Sequence, residues 1–268
     1  MEIYDPLTNL QARENTYPIL ICLLGYFRAL KAGQPVALPC GGKAEGLLRS
    51  LALAYPHPVP RDVLTETLWP HSDPSLANQS LDSLTYTMRK LFRSALSGAA
   101  PVINVEGYYA LNTQAGVGLD VMLFDALAQA ADQQRRAGQA AAAVMFYQRA
   151  VALYGGEFVA GSDIRAIVER ERLRSRYLAL LAYLADHAYD TRDYSACLDY
   201  AQRVLITDAC REDAHRVVMR SYVRLGQRAQ AVRQYRLCQD ILRVELEAEP
   251  ELATRILFDQ IRHAPDSI

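Results

Sequence analysis

The chain has 268 residues, about half of them apolar, and 29 basic against 30 acidic side chains give a formal net charge of −1. That length supports a substantial core in one large or two packed domains, and the neutral balance excludes attraction of nucleic acid by bulk charge. No apolar stretch approaches the roughly 20 residues that cross a bilayer, and no basic segment leads into an apolar run with a small-residue cleavage site, so no membrane partner is expected. Cys22, Cys40, Cys197, Cys210 and Cys238 form neither a CxxC pair nor a zinc spacing. They are read as small apolar residues in a reducing cytoplasm. Lys31, Lys43 and Lys90 are the only lysines. Arginine suits forked contacts to phosphate and guanine, although a genome of high GC content produces the same bias.

Residues 1–18 are polar and without period, and read as an N-terminal arm. From Tyr17, the run through Phe27, then Ala29-Leu30, Lys31-Ala32-Gly33-Gln34 and Pro35-Val36-Ala37-Leu38, predicts two or three short strands around a glycine turn. Leu47, Leu48, Leu51, Ala52 and Tyr55 then recur at helical spacing until Pro56, and Val63, Leu64, Leu68 and Trp69 do so between Pro60 and Pro70. The intervening Gly41-Gly42-Lys43 resembles a phosphate loop only in part. Ala37 stands where such a motif needs its first glycine and Ala44 where a hydroxyl would hold magnesium, so a loop entering the first helix is expected.

The third helix is better marked. Ser72-Asp73-Pro74 supplies a cap and a proline first turn, and Leu81, Leu84, Met88, Leu91 and Phe92 form one apolar stripe. The opposite face carries Gln79, Asp82, Ser83, Tyr86, Lys90 and Arg93. Val102 to Val105, a Glu106-Gly107 turn and Tyr108 to Leu111 then read as a β-hairpin. Sheet, three helices and hairpin is the order of a winged helix-turn-helix.

From Asp120 onward the pattern is helical. Three segments repeat one spacing: Ala143, Tyr147, Ala150; Cys197, Ala201, Val204; and Ala231, Tyr235, Cys238. The second and third are offset by 34 residues, the tetratricopeptide period, in which small residues let paired helices approach. The first lies 54 residues before the second, so an insertion around Gly155-Gly156-Glu157-Phe158 is expected to interrupt the array. The alternating acids and arginines from Glu169 to Arg176 read as a salt-bridged helix surface, with a partner-binding face as the rival reading. His57, His71, His187, His215 and His263 are scattered and assemble no catalytic or metal motif. No catalytic residue, metal site or cofactor is expected.

These residues resemble the Streptomyces antibiotic regulatory protein family, in which an OmpR-type winged helix precedes a bacterial transcriptional activator domain. The resemblance runs from about Ile19 to Ile261. It is carried by Arg61 to Pro70 (RDVLTETLWP), Ala77 to Leu81 (ANQSL), Met88 to Leu91 (MRKL) and Gly107 to Asn112 (GYYALN). In the second domain it is carried by Leu119-Asp120-Val121 through Phe124, Leu153 to Phe158 (LYGGEF), Glu169 to Arg174 (ERERLR) and Arg211 to Arg216 (REDAHR).

The resemblance implies an α+β winged helix-turn-helix followed by an all-α tetratricopeptide-like domain. The boundaries expected are an arm at 1–18, a DNA-binding domain at 19–113 and an activator domain at 120–264. It further implies a transcriptional activator whose partners are double-stranded promoter DNA and RNA polymerase, with a homodimer and a small ligand or protein on the helical domain as further candidates. If the third helix is the recognition helix, Asn78, Gln79, Ser83, Tyr86, Arg89, Lys90 and Arg93 are the candidate DNA contacts. Of the wing tyrosines, one packs and the other touches sugar-phosphate; periodicity does not say which, and Tyr108 is carried as the candidate. Ala77, where the family has a basic residue, and the acidic Asp82 run against this reading. From Ser83 to Val105, by contrast, there is no acidic residue while Arg89, Lys90 and Arg93 supply positive charge. The alternative function is an interaction or ligand-sensing scaffold whose winged helix has lost most DNA affinity.

Overall fold

The structure is a computed structural model and describes residues 17–158, 164–265 and 268. Nearly all of the expected N-terminal arm lies outside them. Three short strands open the described chain: β1 (Ile19–Cys22), β2 (Arg28–Lys31) and β3 (Gln34–Pro35). The β2–β3 reversal sits on Ala32-Gly33, both at positive φ, the backbone of the tight hairpin turns that follow strand twist. A fourth strand, β7 (Val117–Leu119), lies parallel beside β1, so the sheet order is β3-β2-β1-β7, with Ile19 opposite Val117 and Ile21 opposite Leu119. All three β7 residues are buried. A strand covered on both faces shows no alternation, and this one read as a glycine-bearing junction.

Between β3 and β7 lie three helices and a second sheet: α1 (Lys43–Ala54), β4 (Val59–Pro60), α2 (Arg61–Leu68), α3 (Pro74–Phe92), β5 (Val102–Val105) and β6 (Tyr108–Leu111). The second sheet has the order β4-β6-β5. Each helix buries one stripe: Leu47, Leu48 and Leu51 from α1, Leu64 and Leu68 from α2, and Leu81, Leu84, Met88 and Phe92 from α3. Val63, expected in the core, is 47% exposed, and Tyr55 ends α1 at the surface. Leu64 and Leu68 alone bury the inner face of the two-turn α2. Cys40 is likewise exposed rather than packed. Lys43 resolves the partial phosphate motif: it opens α1, donates to the Leu68 carbonyl and lies 5.8 Å from the Trp69 ring centroid. Its ammonium thus binds the carbonyl end of α2.

The chain divides into two compact units between Leu173 and Arg174. The first includes the helix hairpin α4 (Asp120–Arg136) and α5 (Ala140–Leu153), which buries Phe124, Leu127, Ala131, Ala143, Tyr147 and Ala150. Asp120 joins this hairpin to the sheet. Its side chain is 2% exposed, and its two oxygens accept from the Leu23 amide at 2.9 Å, one of them also from the Leu24 amide at 2.9 Å. These amides follow the last residue of β1, so the carboxylate takes the place of a missing ladder partner.

The boundary between the units falls within α6 (Ile164–Asp190). In the second unit, α7 (Tyr194–Thr207), α8 (Glu212–Arg224), α9 (Arg228–Leu246) and α10 (Leu252–His263) stack as successive antiparallel helices. Cys197 and Ala201 pack with Ala185, Ala188 and Val218. Ala231 and Tyr235 pack with Met219, Leu257 and Ile261. Tyr235 also stacks on Phe258, centroids 3.9 Å apart. All three repeated triplets are buried on their helices. The fold is a winged helix-turn-helix followed by tetratricopeptide-like helices.

Candidate nucleic-acid interface

Helix α3 begins where its sequence says it should. Asp73 caps it, accepting from the Ser75 amide at 2.8 Å and the Leu76 amide at 3.3 Å, and Pro74 occupies the first turn. With Leu81, Leu84, Met88 and Phe92 turned inward, the helical period of 3.6 residues brings Gln79, Ser83, Tyr86, Lys90 and Arg93 into one outward line. All five are exposed, Tyr86 to 70%. Arg89 is exposed on a flank of that line, next to Asp82 by helical rotation. Asn78 is on the same flank but half-buried. The structure therefore brings Gln79, Ser83, Tyr86, Lys90 and Arg93 together and sets Asn78 and Arg89 to one side.

The hairpin β5–β6 pairs Val105 with Tyr108 and Asn104 with Tyr109. Glu106 and Gly107 both take positive φ, and the Asn104 side chain accepts from the Gly107 amide at 3.0 Å. This strand register decides between the two tyrosines. Tyr109 faces inward and is 1% exposed, whereas Tyr108 is 52% exposed beside Val105.

Two residues that weighed against a DNA-facing surface take on other roles. Ala77 is buried on the inward stripe of α3, away from the outward line. Asp82 is held by Arg61, whose Nη2 and Nη1 donate to its two oxygens at 2.7 and 3.2 Å. That hydrogen bonding to Asp82 raises the Arg61 pKa further, and burial pushes the Tyr109 hydroxyl up. The negative charge on the outward side of α3 is neutralised locally, which leaves Arg89, Lys90 and Arg93 as its charges. Arg61 was part of a sequence landmark but not a candidate site residue. Only tertiary pairing across 21 positions reveals it.

The bacterial transcriptional activator domain profile matches residues 119–262, more than half of the chain. Regulatory protein AfsR of Streptomyces coelicolor is 27% identical over 241 residues, covering 88% of this chain and 24% of its own length. The chain thus spans about a quarter of that curated relative. Among solved structures, Mycobacterium tuberculosis EmbR, in complex with a low-affinity phosphopeptide, superposes with a TM-score of 0.65 at 21% identity, over 93% of this chain and 67% of that one. At that identity the likeness concerns the fold. The chain belongs to the bacterial transcriptional activator domain family, with a winged helix preceding that domain.

Proposed function

We propose that the protein is a cytoplasmic transcriptional activator that binds double-stranded promoter DNA by seating α3 in the major groove, with Tyr108 of the wing against the adjacent sugar-phosphate. The observation that carries this reading is the outward line Gln79, Ser83, Tyr86, Lys90 and Arg93 on a helix whose one outward acid is already paired. Its N-terminal half offers hydrogen-bonding and aromatic groups to base edges, and its C-terminal half offers cations to phosphate. Asn78 and Arg89 extend the contact along one flank. In this reading residues 19–113 hold the DNA contacts, and residues 120–264 supply regulation, contact with RNA polymerase, self-association and any ligand response.

The test is binding of the intact chain to duplex DNA by fluorescence anisotropy over a salt series. Affinity should fall as salt rises. Arg89→Ala with Lys90→Ala should weaken binding to all sequences and reduce the logarithmic salt slope by up to about two, near one per lost phosphate contact. A wild-type chain that shows no salt-dependent binding would leave the scaffold reading in its place.

A further inference from the structure

Arg61 touches both halves of the proposed DNA-reading surface. Its guanidinium grips Asp82 on α3 with two hydrogen bonds, at 2.7 and 3.2 Å. The same guanidinium lies 5.5 Å from the ring centroid of Tyr109 in the wing. Its backbone amide donates to the carbonyl of Gly107 at the wing turn, at 2.9 Å. Three elements therefore meet at one residue: the start of α2, the outward side of α3, and the hairpin.

The side chains of Arg61 and Asp82 are 30% and 59% exposed, so the pair as an isolated ion pair contributes little to stability. Its geometry matters more. A planar guanidinium that binds a carboxylate through two nitrogens while facing an aromatic ring admits a narrow range of relative placements for the two. We infer that Arg61 is a positioning residue, whose clamp on Asp82 fixes the spacing between α3 and the wing so that both engage one short stretch of duplex. The inference rests on the DNA-binding reading. It differs from a reading by charge alone, in which Arg61 attracts phosphate and Asp82 repels it.

The two readings predict opposite outcomes for Asp82→Asn. That variant removes a negative charge from the DNA-facing helix, so charge alone predicts tighter binding. Loss of the clamp predicts weaker binding to a preferred sequence. The intact wild-type chain, Arg61→Met, Asp82→Asn and the double variant would each be titrated with two duplexes. One is selected by the wild type from a random-sequence pool, and the other is a scramble of it. Met keeps an apolar stem over Tyr109.

Each single variant should bind the selected duplex roughly three- to tenfold more weakly, the range expected for a two-point pair with a ring contact. The double variant, with net charge unchanged, should lose no more than either single and should bind the scramble as the wild type does. A loss of stability alone would weaken both duplexes together. Without DNA, amide hydrogen exchange across residues 102–111 should be faster in all three variants. Tighter binding by Asp82→Asn, additive losses, or unchanged wing exchange would overturn the clamp. If the wild type enriches no duplex from the pool while wing exchange still rises in every variant, the DNA-binding reading fails and the geometric role of Arg61 stands.

Discussion

Two buried titratable side chains give the two units pH responses of opposite sign. Burial raises the Asp120 carboxyl from 3.8 to about 6, against the lowering effect of backbone amides from Leu24, Leu23 and Val121. The unfolded chain ionises first, so the folded state holds more protons between about pH 4 and 6, and stability falls as pH rises through that window. Relative to Asp120→Asn, which does not titrate, the wild type should lose about 3 kcal/mol across it and nothing further above it. Chemical denaturation of both proteins at pH 4.5, 6 and 7.5 checks this; parallel profiles would show that Asp120 does not titrate there. His215, in the second unit, is held neutral. Its Nε2 donates to the Ala209 carbonyl at 2.9 Å, its Nδ1 accepts from Gln234 at 2.7 Å, and burial lowers its pKa from 6.5. The unfolded imidazole takes a proton first, so this contribution is present above about pH 6.5 and is lost as pH falls below it. His215→Gln should flatten that acid-side loss.

At the scale of elements, the wing and the repeats each depend on one local fit. Glu106 sits at φ 51 in the wing turn, a backbone region that costs a non-glycine residue roughly 1 kcal/mol and that asparagine tolerates. Glu106→Asn should therefore raise stability by about 0.5–1 kcal/mol and, on the DNA reading, tighten binding by removing a charge near phosphate. A lower melting temperature would mean that the Glu106 side chain itself supports the turn. In the helical array, Ala231 is fully buried against Met219, Tyr235 and Leu257. Ala231→Leu adds volume where the neighbours cannot retreat and should cost about 1–3 kcal/mol. A wild-type melting temperature would show that the packing there is looser than the structure has it.

At the scale of the whole chain, the winged helix does not end where its sequence pattern does. A break near Thr113 looks natural in sequence, but it removes β7 from beside β1 and deprives the Leu23 and Leu24 amides of Asp120. It also removes the close passage of Gly25 against Gly155, where the Gly25 amide donates to the Glu157 carbonyl at 3.0 Å and an added Cβ would meet the Gly155 backbone at 3.0 Å. A fragment ending at Thr113 should accordingly melt well below one ending at Phe158, and the longer fragment should retain the protection of β1 amides from hydrogen exchange. Equal melting temperatures would show that α4 and α5 add nothing to the sheet.

What the sequence determined by itself was whatever short-range physics controls. The Asp73-Pro74 cap, the stripe from Leu81 to Phe92, the Glu106-Gly107 turn and the 34-residue spacing of small residues are each set within a few neighbours or by a strict period. They located α3, the wing and the repeats, and with them the outward face of α3. Tertiary structure decided the rest. Val117 to Leu119 became a strand only because Ile19 to Ile21 lie alongside, since a buried strand carries no alternation to read. Tyr109 was taken inward by strand register, with Tyr108 left outside. Asp82, which by sequence alone reads as an unpaired acid, is an ion-pair partner because folding brings Arg61 to it across 21 residues. An unpaired charge and a paired one have the same letter in a sequence, and only the fold supplies the partner.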